Sequence, residues 1–115
     1  MNNLTLAEIE RLTILAEEAA EVIQAVTKIL RHGYESSHPS LPPHDIFNNR
    51  QHLVKELGDL RATLAIMIQA GDVSIKDYIQ AAAAAHKLER LPQYLHEDEN
   101  KVLARMVLDI HNGHG

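Results

Sequence analysis

The chain has no cysteine and no tryptophan, a single phenylalanine, three tyrosines, and fewer bases than acids, eleven Lys and Arg against sixteen Asp and Glu. Without cysteine there can be no disulfides, thiolate nucleophiles or zinc-thiolate centres. With so few aromatics, a core must be built from Leu, Ile, Val and Ala, side chains that suit helix-on-helix packing. A formal net charge of -5 argues against a general binder of nucleic-acid polymers, which needs a basic stripe to displace counterions. A polyanionic ligand would instead need a metal as intermediary. No apolar run approaches the length of a membrane span, so no membrane partner is expected. The N-terminus MNNLTLAEIER has neither the basic region nor the apolar core of a signal peptide, which makes the cytoplasm the expected location. No segment repeats at a solenoid period, and the 115 residues are the size of one domain, expected to span 1–115 around one modest core.

Helical periodicity dominates what is present. From Leu4 to about Leu30 apolar residues recur at Ile9, Leu12, Leu15, Ala16, Ala19, Val22, Ile23, Val26, Ile29 and Leu30, the period of a long amphipathic helix. Thr5 with Glu8 predicts a capping box at its start, and Gly33 a stop. The segment His32 to Asn49 holds three of the four prolines and no period; it is expected to be a long loop, either a substrate-side flap or a plain mobile connection. A second helix is predicted from about Asn49 to Ala70, ending at Gly71, with Leu53, Leu57, Leu60, Leu64, Met67 and Ile68 as its stripe. A third is predicted from about Ser74, a good N-cap, to about Arg90 before Pro92, and its alanine tract Ala81 to Ala85 predicts tight packing. The last spans about Glu97 to Ile110, with Val102, Leu103, Met106, Val107 and Ile110 apolar. Strand signals are absent, so the expected class is all-α.

Two carboxylate doublets stand inside these apolar patterns: Glu18 and Glu21 in LAEEAAEVIQA, then Glu56 and Asp59 in LVKELGDLRATL. Spacing of i,i+3 puts both acids of a doublet on one helix face. Along those faces the sequence turns apolar, through Ala25 and Ile29 on the first helix and through Thr63, Ile66 and Ala70 on the second, as a covered face would. A single Glu-x-x-Glu is most often a solvated edge, and Glu17, Glu21, Gln24 and Lys28 could form one. Two doublets on successive antiparallel helices are harder to dismiss, since covered carboxylates are costly unless a cation joins them, and four acids facing one another suit Mg2+ or Mn2+. Gly58, in mid-helix, costs roughly 1 kcal/mol against Ala, which predicts close approach by another backbone or a ligand. The eight histidines include no HExxH, and neither doublet is the Glu-x-x-His of di-iron bundles. Only His52, at i,i+4 from Glu56, falls near the acids.

EEAAE at Glu17 to Glu21 followed by KELGD at Lys55 to Asp59 resembles the ExxE and ExxD motifs of the MazG-like all-α nucleoside triphosphate pyrophosphohydrolases. These include the dimeric dUTPases and the phosphoribosyl-ATP pyrophosphatases. The similarity runs over roughly residues 4 to 95 and continues into AAAAAHKLERLPQYLHED, like the family segment whose Lys reaches substrate phosphates. The stretch between the doublets, residues 22 to 55, is longer than the usual family spacing because of the His- and Pro-rich loop. The resemblance implies an antiparallel bundle of four to five helices, completed by oligomerisation as a homodimer or homotetramer. It also implies hydrolysis of a nucleoside triphosphate, expected to be a deoxynucleotide, between its α and β phosphates to the monophosphate and pyrophosphate. By the same resemblance two or three Mg2+ or Mn2+ ions would sit on Glu18, Glu21, Glu56 and Asp59, with Glu17 positioning water. Lys87 would contact phosphate, with Arg90 and Arg61 as lesser candidates. The alternative reading is a non-catalytic helical interaction module whose acids are surface charge, with a di-iron oxidation protein more distant.

Overall fold

The computed structural model describes residues 2–37, 47–74 and 78–113. The described residues form four helices, α1 (Leu6–His32), α2 (Asn49–Ala70), α3 (Tyr78–Arg90) and α4 (Asp98–His111), with one 3-10 turn at Leu91–Gln93. The class is all-α, as expected: the described residues contain no strand, only an isolated antiparallel bridge between Ser37 and Asn48. The chain divides into two compact units, residues 1–73 and 74–115.

In the first unit α1 starts where the sequence says it should. The Thr5 side chain accepts from the Glu8 amide, and the Glu8 carboxylate accepts from the Thr5 amide, so two of the amides left open at a helix start are satisfied. The helix ends at Gly33, whose φ of 86° favours a residue without Cβ. A second capping box, not foreseen, opens α2: Asn48 and Gln51 exchange the same pair of bonds. Gly71, left-handed at φ 87°, closes that helix.

The two helices are antiparallel because they are tied at both ends. At one end, the Arg11 guanidinium donates from Nε to Asp72 Oδ2 at 2.6 Å and from Nη2 to Oδ1 at 2.9 Å, joining the start of α1 to the residue after the α2 cap. At the other end, Asn49 Nδ2 donates to the Gly33 carbonyl at 3.0 Å. A short ladder follows, in which the Arg50 amide donates to the Tyr34 carbonyl and the Asn49 amide to the Ser36 carbonyl. The Arg50 guanidinium stacks 4.2 Å from the Tyr34 ring centroid and binds Glu35, so both stems of the intervening segment are fixed. Of the expected loop His32–Asn49, residues 38–46 lie outside the described residues.

The second unit pairs α3 with α4. His111 Nε2 lies 3.2 Å from the Ala81 carbonyl, placing the end of α4 beside the start of α3. Pro92 sits in the first positions of the 3-10 turn, where its missing N–H is not needed. The expected Ser74 N-cap cannot be followed, since residues 75–77 lie outside those described. The alanine tract departs from the tight packing expected of it: Ala81 to Ala84 are exposed and only Ala85 is half-buried.

The core is smaller than the sequence pattern promised. Among the described residues Ala25, Thr63, Met67 and Ala104 are buried. Leu12, Ile23, Val26, Leu30, Leu57 and Leu64 of the predicted stripes are exposed, as are Val102, Leu103, Met106, Val107 and Ile110 of α4. The physical reason is that a two-helix hairpin covers one face of each helix, whereas these stripes wrap further around. Gly58 also departs from expectation. Among the described residues a Cβ built there would meet nothing within 4 Å, so close approach by any of them does not explain it. Gly58→Ala should therefore raise the stability of the free chain by roughly 0.5–1 kcal/mol through helix propensity, measured by urea denaturation. A loss of stability would mean that something outside this chain packs against the site.

Candidate metal centre

The antiparallel closure of α1 on α2 brings the two doublets face to face. One oxygen from each of Glu18, Glu21, Glu56 and Asp59 lies within 4.8 Å of the other three. Glu18, Glu56 and Asp59 are half-buried and Glu21 is exposed. Two of the oxygens, Glu18 Oε2 and Glu56 Oε2, are fully removed from solvent and have no hydrogen-bond partner. A buried carboxylate oxygen left unpaired is costly, and native proteins rarely tolerate one without a purpose. An all-oxygen donor set of this kind fits a hard divalent cation such as Mg2+ or Mn2+.

One positive group already leans on the cluster. The Lys55 ammonium lies 2.9 Å from Asp59 Oδ2 and 3.6 Å from Glu56 Oε1, and the hydrogen bond to Asp59 followed by the charge of Glu56 holds its pKa above the usual lysine value. Lys55 thus compensates the α2 doublet, while the Glu18 oxygen stays without a partner. Glu21 shows what remains uncompensated. Its pKa is raised, first by a hydrogen bond to Glu56 that only a protonated carboxyl can donate, then by the negative charges of Glu18 and Glu56.

Beside the acids opens a cleft of 340 Å³ whose walls include Glu21, Lys28, His52, Lys55 and Glu56. His52, expected near the acids, is there, with its ring edge-on to Phe47 at 5.7 Å between centroids. Glu17 is exposed and outside the four-acid group. Arg61 is exposed, two residues past Asp59 and so about 200° around α2; it lines none of the clefts described. Lys87 and Arg90 do come together, within the second unit, on the wall of a 450 Å³ cleft that also holds His86, Leu91 and Tyr94. Arg90 Nη2 donates to the Tyr94 hydroxyl at 3.4 Å. The sequence pattern put Lys28 on a possible solvated edge of α1 and gave no site role to it, to His86 or to Tyr94. His86 and Tyr94 each lie four residues from Arg90, so i,i+4 neighbours of that residue would have pointed to both.

The sign of the Glu21 shift generates a test. Its folded-state pKa exceeds the unfolded one, so its contribution to stability is complete below the unfolded value and is lost as pH rises through the folded value. A divalent cation favours the ionised form and opposes that loss, so the rise in Tm on adding Mg2+ or Mn2+ should grow from about pH 5 to about pH 7.5. Glu21→Gln should raise the metal-free Tm at neutral pH and shrink the metal response. A metal response that is absent, or that falls as pH rises, is the contrary result. Lys55→Met, which removes the competing ammonium, should tighten Mn2+ binding several-fold in calorimetry while lowering the metal-free Tm.

The family model of the MazG nucleotide pyrophosphohydrolase domain aligns with residues 7–94, a span that contains both doublets and reaches the Lys87 and Arg90 cleft. No curated protein sequence and no solved structure matches the chain significantly.

Proposed function

The chain belongs to the MazG nucleotide pyrophosphohydrolase family, and from that premise we propose that it hydrolyses a nucleoside or deoxynucleoside triphosphate between the α and β phosphates. Water adds to the α phosphorus, the bridging P–O bond breaks, and the products are the nucleoside monophosphate and pyrophosphate. The observation that carries this reading is the pair of solvent-excluded, unpartnered oxygens on Glu18 and Glu56 within the four-acid group. A solvated acidic face would not bury them, which counts against the interaction-module alternative.

Glu18, Glu21, Glu56 and Asp59 would hold the Mg2+ or Mn2+ ions, two or three per site. Bound there, the ions supply neutralisation of phosphate oxygens and lower the pKa of a coordinated water. The chain's own residues do the placing. The i,i+3 spacing presents each doublet as a unit, the Arg11–Asp72 and Asn49–Gly33 ties fix the facing of the two helices, and Lys55 holds the Asp59 carboxylate in orientation. Glu17 serves as the water-positioning acid and Lys87 as a cationic contact to phosphate, with Arg90 and Arg61 as lesser candidates for that role. The whole chain acts as one domain. It assembles as a homodimer or homotetramer through the apolar face of α4, where Val102, Met106 and Ile110 are 52–67% exposed. No helix among the described residues is long and apolar enough to cross a membrane, and the cytoplasm is the proposed site of action.

A panel of NTPs and dNTPs with Mg2+ or Mn2+, with products separated by ion-exchange chromatography, tests the reaction. Monophosphate and pyrophosphate are expected; orthophosphate and diphosphate as the sole initial products would overturn the mechanism. Glu18→Gln, Glu56→Gln and Asp59→Asn should each lower kcat by about 10²-fold or more, the scale of losing one electrostatic partner of a transition state, with the helical circular dichroism retained. Lys87→Ala should reduce kcat/KM more mildly.

A further inference from the structure

The groove between α1 and α2 does not end at the acids. Lys28 lies about two turns beyond Glu21 on the same side of α1 and Arg31 about one turn further, so the helix becomes basic toward its C-terminal end. Across the groove α2 runs the opposite way and supplies Asp59, Glu56, His52 and Asn49 in the same spatial order. Two clefts mark this groove. The one beside Glu21 and Glu56 has Lys28 in its wall, and a second, of 170 Å³, has Lys28, Arg31, Ser36 and Asn49 in its wall. Lys28 stands in the wall of both.

The cations on this groove are unspent. Neither Lys28 nor Arg31 makes a hydrogen bond or ion pair with any described residue, in a first unit where Arg11, Arg50 and Lys55 are all engaged with carboxylates. Arg31 lies in the last turn of α1, where a cation has a purely local benefit from the helix dipole. Lys28 lies before that turn and has no such reason. Among the described residues no Phe, Tyr or Trp lines either cleft, whereas the two walls offer an anion two cations, amide and hydroxyl side chains and room.

We infer that Lys28 and Arg31 form a binding track for the distal, pyrophosphate end of the substrate, leading away from the acids along the α1–α2 groove. The inference rests on the proposed hydrolysis and gives it a direction: the α phosphate lies at the four carboxylates, and the β and γ phosphates extend toward Lys28 and then Arg31. When the α–β bond breaks, the negative charge that develops on the leaving pyrophosphate falls beside these cations. Lys28 is then a substrate contact for the leaving group, distinct from the acids that hold metal.

The test compares wild type, Lys28→Ala, Lys28→Arg and Arg31→Ala by calorimetry in the presence of Mg2+, with inorganic pyrophosphate, a nucleoside monophosphate and an α,β-methylene triphosphate as probes. Loss of one charge-assisted contact should weaken pyrophosphate and the triphosphate analogue by about tenfold in Lys28→Ala, and Lys28→Arg should restore most of it. Affinity for the monophosphate, Mn2+ affinity and Tm should not move, which separates a ligand contact from a structural one. Unchanged pyrophosphate affinity in both alanine variants, or an equal loss for monophosphate and pyrophosphate, overturns the track. If these variants bind as wild type does while wild type still yields monophosphate and pyrophosphate, only the track fails. If wild type neither binds the analogue nor turns over any triphosphate, the proposed reaction fails and the track with it.

Discussion

Everything in the first unit depends on holding four like charges against one another. Carboxylates within 4.8 Å repel, and two of their oxygens are cut off from the water that would otherwise stabilise them. The cost is met by geometry elsewhere: the bidentate Arg11–Asp72 pair at one end of the hairpin, the Asn49 bond to Gly33 at the other, and two capping boxes that fix where each helix begins. Lys55 relieves part of the repulsion, and what remains raises the pKa of Glu21. An arrangement that strains the metal-free protein in this way is the expected signature of a site whose charge balance is completed by a ligand.

Burial is the second constraint. A hairpin of two helices can hide only the stripe between them, and here that stripe is thin: Ala25, Thr63 and Met67 are its buried members. Ala25 is small enough to let the helices approach, and it lines the same cleft as Glu21 and Glu56. The apolar residues that periodicity assigned to a core remain exposed on α1 and α4, with Leu30 at 80% and Ile110 at 67%. Exposure of that extent is more than isolated surface leucines require, and it is what the proposed assembly of copies would cover.

Much of the fold was legible from local signals. The span and caps of α1, the Asn49–Ala70 bounds of α2 and the glycine stops at Gly33 and Gly71 all follow from short-range chemistry, in which a side chain answers a backbone group three or four residues away. Where the sequence reading fell short, the deciding partner was distant or missing. Apolar periodicity marked Leu12, Val26 and Leu57 as inward-facing, but periodicity says which residues share a face and not whether anything in the same chain packs on it. The open space at Gly58 is the same lesson.

Spacing along single elements is enough to specify the helices, the all-α class, the two acid doublets and, through their order, the family. Which acids meet depends on how α1 and α2 cross. The crossing of α1 and α2 admits Glu18, Glu21, Glu56 and Asp59 to one cluster and leaves Glu17, adjacent in sequence, in solvent. It likewise decided that Lys55 faces the acids and that Lys28 stands unpaired in the wall they share, since the burial of an oxygen and the pairing of a cation depend on what the opposite helix presents, and no spacing along a single helix contains that.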